Sequence, residues 1–579
     1  MERVLYAPSG LPPLPPDVSQ DPGPYAVWSR DREEQRVRAT RATRRANLCL
    51  VMPVADAGAG ADADAISRTL RSIRRQRGGW SLMVVAAEGR LSELRALVHA
   101  DTALRDRRRV RLLGAGGPGS QRDLLGIGLE ATRGLPRALL LPGDVWSPDA
   151  VARLSAALTP TTVVYADEDE QLDDGAWVAP RFKPDFSPEF LLTSAYIGRP
   201  LAMGADVADH LPRLVAADMT VLEHECALAA TEVADAVVHI PEVLCHRTVG
   251  DASATASFSV RHVEEALERR QDPATVEPGS VPGFYRIARP ARTDVPVSIV
   301  IPFRDEPRLL RTCVDSIVAT TGMHDSVELV LIDNGSTDPE TLTLVERLSA
   351  RPDVRVMSDP RPFNWAALNN AGALEARGDI LLFLNNDIEA HRSGWLSALC
   401  SQVLRPDVAV AGARLLYPDR RLQHCGIVVG LTGAAGHVLG GLDESGAGYL
   451  RMAVSGRECS AVTGACLATR RDVFEQLGGF DEALGVDLND VDYCLRAAAK
   501  GLRTIYEPAA ELIHYESPSR GTAGGVGDVV QFLERWKGYI AEGDRYFNPH
   551  LTRADPSCRL ANPGEKDDWN RWYATLTTQ

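Results

Sequence analysis

Residues 381–390 read LLFLNNDIEA, a short apolar run that passes directly into Asn385, Asn386 and Asp387. The apolar part has the length and composition of a strand that is buried on both faces of a parallel sheet. Ligands of open α/β sheets bind beyond the carboxyl ends of such strands. A second run, ELVLID, ends in the same way on Asp333. The two runs therefore predict an α/β fold with a ligand site where these strands end.

The chain also carries an internal repeat. Near its start it reads NLCLVMPV, AISRTLRSIRRQ and WSLMVVAAEG, and about 250 residues later VSIVIPFR, LLRTCVDSIVAT and VELVLIDNGS. Each set predicts a strand, an amphipathic helix and a strand, because the apolar positions first run together and then recur every three or four residues. Farther along, RALLLPGD ends on Asp144 as ILLFLNND ends on Asp387. The repeat predicts two tandem α/β domains.

The 579 residues are too many for one ordinary core, and the repeat suggests where to divide them. Pro and Gly interrupt every periodicity between the two copies, which is typical of a linker. The aromatic residues after the second copy predict a helical extension that packs on it. We predict an N-terminal extension 1–46, a first domain 47–265, a linker 266–294, a second domain 295–525 and a C-terminal extension 526–579.

Composition excludes several classes of protein. Lys and Arg number 63 against 78 Asp and Glu, and this acidic balance argues against nucleic acid as a partner. The ten cysteines form no C-x-x-C pair, as expected for buried, reduced thiols of a cytoplasmic protein. No apolar stretch is long enough to span a membrane. The basic stretch 30–45 predicts a solvated helix face, with peripheral contact to the inner face of the plasma membrane as the alternative.

Seven motifs of the second copy together resemble a known family. In order they are VSIVIPFR, VLIDNGSTDP, PFNWAALNNAG, LLFLNNDIE, VTGACLATRRDVFEQLGGFDE, NDVDYCLRAAAKG and ELIHYESPSRG. They resemble a family 2 glycosyltransferase, which implies two tandem GT-A-like domains, each Rossmann-like with a mostly parallel sheet. The tandem arrangement is similar to that of bacterial transferases that build O-antigen, rhamnan-like or other cell-surface polysaccharides. The resemblance implies an inverting transfer of a sugar from a UDP- or dTDP-linked donor to a growing, lipid-linked glycan.

The resemblance also implies roles for single residues. Asp490, at the start of a predicted helix, would be the base that deprotonates the acceptor hydroxyl. Asp387 and His514 would bind Mn²⁺ or Mg²⁺, with Asn385 in place of the first acid of the family's D-x-D motif. The nucleotide-sugar side would comprise Pro302, Arg304, Asp333, Asn370, Asn385 and Asn386, and the acceptor side Gly464, Ala465 and Asp492.

Three of these residues have a structural alternative. Asp490 could simply stabilise the positive end of the helix dipole. His514 could be a strand-end histidine that bonds to the backbone. The Asn370 side chain could cap nearby main chain instead of lining a nucleotide pocket.

The first copy lacks most of these side chains, which predicts a degenerate domain that serves acceptor binding or assembly. Ala86 or Ala87 stands in place of Asp333, Pro142 and Gly143 in place of Asn385 and Asn386, Glu223, His224 and Glu225 lie near the expected base, and His246 parallels His514. The acids between Asp167 and Asp174 predict a solvated turn.

Three other functions remain as alternatives. The protein could be a bifunctional transferase with two active domains, or a non-catalytic glycan-binding or scaffolding subunit of a polysaccharide assembly complex. The second is disfavoured because a binding module needs no base and metal together. A dinucleotide-dependent oxidoreductase is disfavoured because no G-x-G-x-x-G follows either first strand.

Overall fold

The structure is a computed structural model, and it forms two compact units. The first unit comprises Asp17–Phe186 and Ser194–Asp272, and the second comprises Ser187–Thr193 and Pro273–Gln579. The structure describes residues 22–40, 47–55, 63–102, 104–116, 121–211, 219–248, 260–279, 281–290, 292, 294–321, 326–516, 526–562 and 564–565. The predicted domain limits stay a prediction.

The described elements alternate between strand and helix along most of the chain. The helices are α1 Pro22–Ala39, α2 Ala63–Arg74, α3 Leu91–Ala100, α4 Gln121–Ala131, α5 Ala150–Ala157, α6 Pro188–Thr193, α7 Ala205–Asp209, α8 Met219–Val233, α9 Val260–Arg269, α10 Pro307–Thr321, α11 Pro339–Ser349, α12 Trp365–Glu375, α13 Trp395–Val403, α14 Arg471–Leu477, α15 Asn489–Ala499 and α16 Val526–Glu542. The strands are β1 Asn47–Val54, β2 Gly79–Ala86, β3 Val110–Gly114, β4 Arg137–Leu139, β5 Val145–Trp146, β6 Thr162–Gln171, β7 Trp177–Arg181, β8 Leu201–Met203, β9 Ala236–Thr248, β10 Thr275–Pro278, β11 Tyr285–Ala288, β12 Val297–Phe303, β13 Val327–Asp333, β14 Val354–Ser358, β15 Ile380–Leu384, β16 Ile388–Glu389, β17 Val408–Leu416, β18 Leu422–His424, β19 Ile427–Val429, β20 Ala435–His437, β21 Arg457–Glu458, β22 Cys466–Arg470 and β23 Arg503–His514.

The two main sheets share one plan, which confirms the predicted α/β fold with tandem copies. The first has the strand order β3-β2-β1-β4-β8-β6-β9-β5, and the second β14-β13-β12-β15-β22-β17-β23-β16. In each sheet the first four strands of this order run parallel, and an antiparallel strand follows them. Each sheet also ends on a two-residue strand that pairs antiparallel with a long one.

Burial explains why the apolar runs form the middle of these sheets. Every residue of β12 and of β15 is buried, as expected for strands covered on both faces. The predicted apolar stripe of α10 is buried against this sheet. Phe532 and Leu533 bury one face of α16, so the C-terminal extension packs on the second unit as predicted.

Four further predictions from the sequence concern the cysteines, the linker, the basic stretch and membrane-spanning segments. All ten cysteines are buried, as predicted, and none is in a disulfide. The predicted linker 266–294 is partly structured, because it holds the end of α9 and the antiparallel pair β10 and β11. The basic stretch is helical up to Ala39, but Arg36 is buried against Asp149, so this helix face is not simply solvated. No helix in the described part of the chain has the length and apolar composition needed to cross a membrane.

Candidate active site

Asp333 and the Asn385–Asp387 stretch lie at the carboxyl ends of β13 and β15, which pair with β12 on its two sides. The loop after β12 is bound to the loop after β13, because Asp305 Oδ1 accepts hydrogen bonds from the main-chain N–H of Thr337 (2.7 Å) and Asp338 (2.9 Å). Asp333 Oδ1 accepts from Ser336 N at 2.8 Å. The half-buried Asp333 carboxylate therefore stands on a fixed backbone at the sheet edge.

Two further predicted residues lie at the end of β12. Pro302 is buried within the strand, and Arg304 directly after it is exposed. Pro302 thus contributes to the packing of the strand end. Arg304 is free to extend toward a ligand at the edge, as a cation that suits a phosphate group.

Asn385 is buried and firmly oriented. Its main-chain N–H donates to Ala465 O at 3.0 Å, and its Oδ1 accepts from Trp365 Nε1 at 3.2 Å. Because an indole nitrogen can only donate, the Asn385 carbonyl oxygen must face Trp365 and the amide nitrogen must face away. Asn385 Nδ2 is buried without a hydrogen-bond partner in the described part of the chain. Asn385 is therefore placed as a donor, which suits an anionic oxygen better than a metal ion. Its half-buried neighbour Asn386 follows it at the rim.

Asp387 and His514 meet because β16 pairs with β23, with Ile388 opposite His514. His514 Nδ1 lies 2.6 Å from Gln423 Oε1, and Gln423 Nε2 in turn contacts Glu516 Oε2 at 3.4 Å. The amide oxygen makes Nδ1 the donor, so Nε2 faces the Asp387 carboxylate, 3.1 Å from its Oδ1. The contact between Nε2 and Asp387 Oδ1 does not have the angles of a hydrogen bond, although Nε2 is buried. An imidazole nitrogen beside a carboxylate, held by a third group, is a donor set that fits a divalent cation.

Asp490 lies in the first turn of α15 and is half buried. Its Oδ2 accepts from Gly464 N at 2.6 Å and its Oδ1 from Val491 N at 2.8 Å. A Cβ at position 464 would lie 2.7 Å from the Trp365 ring, so only glycine fits there. Ala465, the next residue, binds Asn385 through its carbonyl oxygen. The Gly464–Ala465 peptide is thus hydrogen-bonded to Asp490 on one side and to Asn385 on the other.

Trp365 is a site residue that the sequence reasoning missed. It is buried at the start of α12, its ring packs against Gly464, and its main-chain N–H donates to Gly485 O at 2.6 Å. The signal was present, since an aromatic residue stood next to the Asn364 cap in PFNWAALNNAG. Tryptophan at such a position predicts core packing, and the local sequence does not show that its indole nitrogen donates to Asn385.

Two predicted residues have other tasks in the structure. Asn370 binds the Phe480 main chain through both amide atoms and Glu482 through Nδ2, which matches the capping alternative. Asp492 is fully buried. Its carboxylate accepts from Arg496 Nε (2.7 Å), Arg535 Nη1 (2.8 Å) and Trp536 Nε1 (2.9 Å). This binding fixes α16 on α15 and leaves no room for the predicted acceptor-side role, which is wrong for Asp492.

The first unit has an ion pair where the second has its candidate cation site. β5 pairs with β9 so that Val145 faces His246, as Ile388 faces His514. Asp144 therefore occupies the place of Asp387. Its Oδ1 binds the guanidinium of Arg199, and both side chains are buried. The Arg199 Nε also lies 3.1 Å from Glu223 Oε1. The guanidinium of Arg199 therefore lies beside Asp144, where the candidate cation would lie beside Asp387 in the second unit.

His246 is not available as a ligand either. Its Nδ1 lies 2.6 Å from Asp169 Oδ1 and its Nε2 lies 3.1 Å from Glu33 Oε2. Burial lowers the pKa of His246, but the Asp169 and Glu33 carboxylates outweigh this and raise it to about 9. At neutral pH both ring nitrogens carry protons, so neither has a lone pair for a metal ion.

The solvated acidic turn predicted for this unit is also incorrect for its first acids. Asp167, Glu168 and Asp169 are fully buried on β6, whereas Asp173 and Asp174 are exposed. Glu168 is paired with Arg247 at 3.2 Å and Arg181 at 3.0 Å, and Asp167 and Asp169 lie beside the imidazoles of His239 (2.9 Å) and His246 (2.6 Å). Buried carboxylates need such partners, and none of them is adjacent in sequence.

We expect the stabilisation that His246 provides to be lost at alkaline pH. Its folded pKa of about 9 lies above the ordinary 6.5, so its stabilising contribution is complete below pH 6.5 and is lost as the pH rises through 9. Between pH 7 and pH 9.5 the contribution of His246 to the free energy of unfolding should decrease by on the order of 2 kcal/mol, which the difference between the wild type and His246→Gln separates from the opposite contribution of Lys183, whose pKa burial lowers to about 8. Urea unfolding monitored at both pH values measures this. In His246→Gln the decrease should be much smaller, and an equal decrease would rule out His246 as its origin.

Comparisons with known proteins agree with the geometry of the second unit. Residues 298–478 match the family model described as Glycosyl transferase family 2. The O-antigen biosynthesis protein RfbC of Myxococcus xanthus is 34% identical over 577 residues, which are 95% of this chain and 44% of that protein. Protein y4gI of Sinorhizobium fredii is 32% identical over 567 residues, which are 93% of this chain and 61% of that protein. The chain therefore spans less than two thirds of both relatives.

Two more distant likenesses concern a part of the chain. The N-acetylglucosaminyl-diphospho-decaprenol L-rhamnosyltransferase of Mycobacterium tuberculosis is 27% identical over 256 residues, 40% of this chain and 78% of that enzyme. The solved structure of GalNAc-T7 with UDP, GalNAc and Mn²⁺ covers 55% of this chain and 65% of its own, at 16% identity and a TM-score of 0.36. The residues that the family model matches lie within the second unit.

Proposed function

We propose that the second unit is an inverting glycosyltransferase that moves a sugar from a UDP- or dTDP-linked donor to a growing, lipid-linked glycan. The observation that carries this proposal is the connected arrangement of Asp490, Gly464, Ala465 and Asn385 beside the Asp387–His514 pair. It offers a base, hydrogen-bond donors and a cation-binding pair at one sheet edge. These are the groups that a displacement with a diphosphate leaving group requires.

We assign the binding of the nucleotide-sugar donor to the carboxyl ends of β12, β13 and β15. The Asp333 carboxylate is suited to accept a hydrogen bond from the pyrimidine base. Asn385 Nδ2, the neighbouring Asn386 and the Arg304 guanidinium are suited to the diphosphate, because all three can donate to anionic oxygens. Pro302 fixes the backbone from which Arg304 extends.

Asp387 and His514 would hold the divalent cation, Mn²⁺ or Mg²⁺. A bound cation neutralises charge that develops on the departing diphosphate. Gln423 keeps the proton of His514 on Nδ1, so that Nε2 keeps its lone pair toward the cation side. This arrangement makes Gln423 a positioning residue of the proposed site.

Asp490 is the proposed base. Its carboxylate takes the proton from the acceptor hydroxyl, whose oxygen attacks the anomeric carbon from the side opposite the nucleoside diphosphate. The bond to the diphosphate oxygen breaks in the same displacement, which inverts the anomeric configuration. The N–H groups of Gly464 and Val491 orient the carboxylate. The Gly464–Ala465 peptide forms the acceptor side, and the absence of a Cβ at Gly464 leaves room for the Trp365 ring that packs against it.

The first unit is proposed to be catalytically silent and to serve acceptor binding or assembly. A buried Arg199 holds the place of the cation, and His246 is bound by carboxylates at both nitrogens. A bifunctional transferase would need a donor site here, and these contacts oppose one. The names of the relatives support a role in O-antigen or related cell-surface polysaccharide synthesis. We place the reaction on the cytoplasmic side of the plasma membrane, at whose inner face a lipid-linked acceptor is available.

Release of nucleoside diphosphate from a panel of UDP- and dTDP-sugars tests this function. The assay contains a lipid-linked glycan acceptor and is run with and without Mn²⁺ or Mg²⁺. We expect metal-dependent, acceptor-dependent release from one donor of the panel. If the protein binds the glycan but releases nothing from any donor, the non-catalytic binding subunit becomes the better account.

Trp365→Phe should slow transfer about tenfold while the fold is retained. An aromatic ring remains at position 365, but the Cζ2 and Cη2 atoms next to Gly464 and the hydrogen bond to Asn385 Oδ1 are both lost, and one such bond contributes about 1 kcal/mol. The kcat and KM for the donor, with the melting temperature as a control, measure the effect. A loss of stability without a loss of kcat would mean that Trp365 only fills the core.

A further inference from the structure

Three side chains with metal-binding chemistry meet where α8 contacts α9 in the first unit. Glu225 comes from α8, and His262 and Glu265 come from α9. Each offers one ligand atom, and these atoms lie within 4.8 Å of one another. His262 and Glu265 are three residues apart on a helix, so they share one face. None of the three has a part in the proposed transfer reaction.

The state of His262 points to a missing partner. The imidazole is buried, with only 7% of its surface exposed, yet Nδ1 makes no hydrogen bond in the described part of the chain. Glu265 Oε1 accepts from Arg261 at 3.0 Å, but Glu265 Oε2 is also buried without a hydrogen-bond partner. Buried polar atoms nearly always have a partner, and an unpartnered imidazole nitrogen and carboxylate oxygen in one cluster require an explanation.

Protonation of His262 alone does not explain these two unpartnered atoms. A protonated His262 would be expected to donate from Nδ1, and Nδ1 makes no hydrogen bond in the described part of the chain. Arg261 pairs with Oε1 of Glu265 and not with the buried Oε2. A cation between the three side chains would satisfy the imidazole lone pair and offset the repulsion between two carboxylates at once.

We propose that Glu225, His262 and Glu265 bind a divalent transition-metal cation, with Zn²⁺ the best match. One imidazole nitrogen and two carboxylate oxygens form a three-ligand zinc set, to which a water molecule adds the fourth position. The cation joins α8 to α9 and thereby stabilises this part of the first unit. The site is distinct from the Asp387–His514 pair, which lies in the second unit, and the inference does not depend on the proposed transfer reaction.

Zinc retention by an untagged chain tests the proposal. The background is Asp387→Asn/His514→Gln, which removes the donor-site pair. After dialysis against buffer of low free zinc, we expect about one zinc per chain. His262→Gln or Glu265→Gln should lower the zinc affinity at least tenfold, about the smallest loss expected when a ligand is removed. Glu264→Gln is the matched control, because Glu264 is exposed and adjacent to Glu265.

A second readout keeps the test independent of misfolding. Added Zn²⁺ should raise the melting temperature of the background protein and of Glu264→Gln, because a ligand that binds the folded state stabilises it. It should have little effect on Glu265→Gln, whose side chain is partly exposed and whose replacement disturbs little packing. Absence of retained zinc in the background protein would overturn the proposal, as would equal retention in Glu265→Gln.

Discussion

Asp490→Asn is expected to lower the rate of sugar transfer by about a thousandfold without unfolding the protein. Asparagine keeps the size of the side chain and one oxygen that accepts from the Gly464 N–H, which holds the Gly464–Ala465 peptide in place, and it gives up only the hydrogen bond from the neighbouring Val491 N–H. What it loses is the ability to take a proton from the acceptor hydroxyl. The measurement is kcat at saturating donor and acceptor.

Two observations separate loss of the base from loss of structure. Binding of nucleoside diphosphate in Mn²⁺ should be unchanged in Asp490→Asn, because Asp490 does not contact the donor in the proposed arrangement. Asp492→Asn is the matched comparison on the same helix; it should lose stability through Arg535 and Trp536 instead of losing chemistry. Retention of more than about a tenth of the wild-type kcat by Asp490→Asn is incompatible with the expected contribution of a general base.

Asp387→Asn should lower kcat by about a hundredfold or more and weaken the dependence on Mn²⁺. The amide lacks the charge that holds a divalent cation against the His514 imidazole. Initial rates over a Mn²⁺ titration, for the wild type and the variant, give both quantities. His514→Gln should change them in the same direction, because it removes the other member of the pair.

The repeat offers an internal control for this prediction. Asp144→Asn makes the equivalent change in the first unit, where the carboxylate faces Arg199 instead of a metal ion. It should destabilise the protein, because the amide leaves the buried Arg199 guanidinium without its carboxylate partner, and leave the Mn²⁺ dependence of the remaining folded enzyme unaltered. A change in that dependence would mean that the first unit takes part in donor binding.

The sequence predicted those parts of the fold and site that follow from local patterns. The all-apolar runs of β12 and β15 and the stripe of α10 identified an α/β unit, and the polar residues that end the strands marked its edge. Asp333 and Asp387 lie there because parallel strands present their carboxyl ends at one edge. The pairing of Asp387 with His514 was implied by the family resemblance and does not follow from this rule.

Contacts between distant segments were not predictable in this way. Asp490 and Asp492 have the same local signal, and what distinguishes them is that Arg535 and Trp536 arrive on α16. The acids of β6 were read as solvated for the same reason, since the cations that neutralise them come from other strands. Gln423, which orients His514, stands 91 residues before it in the chain.

Calorimetric titration with a nucleoside diphosphate in the presence of Mn²⁺ tests the central claim most directly, namely that one site in the second unit binds the donor. With UDP or dTDP, the account predicts one binding site per chain. That site should be lost in Asp387→Asn and kept, with unchanged affinity, in the folded fraction of Asp144→Asn. Two sites per chain, or a site that disappears in Asp144→Asn and survives in Asp387→Asn, would contradict it.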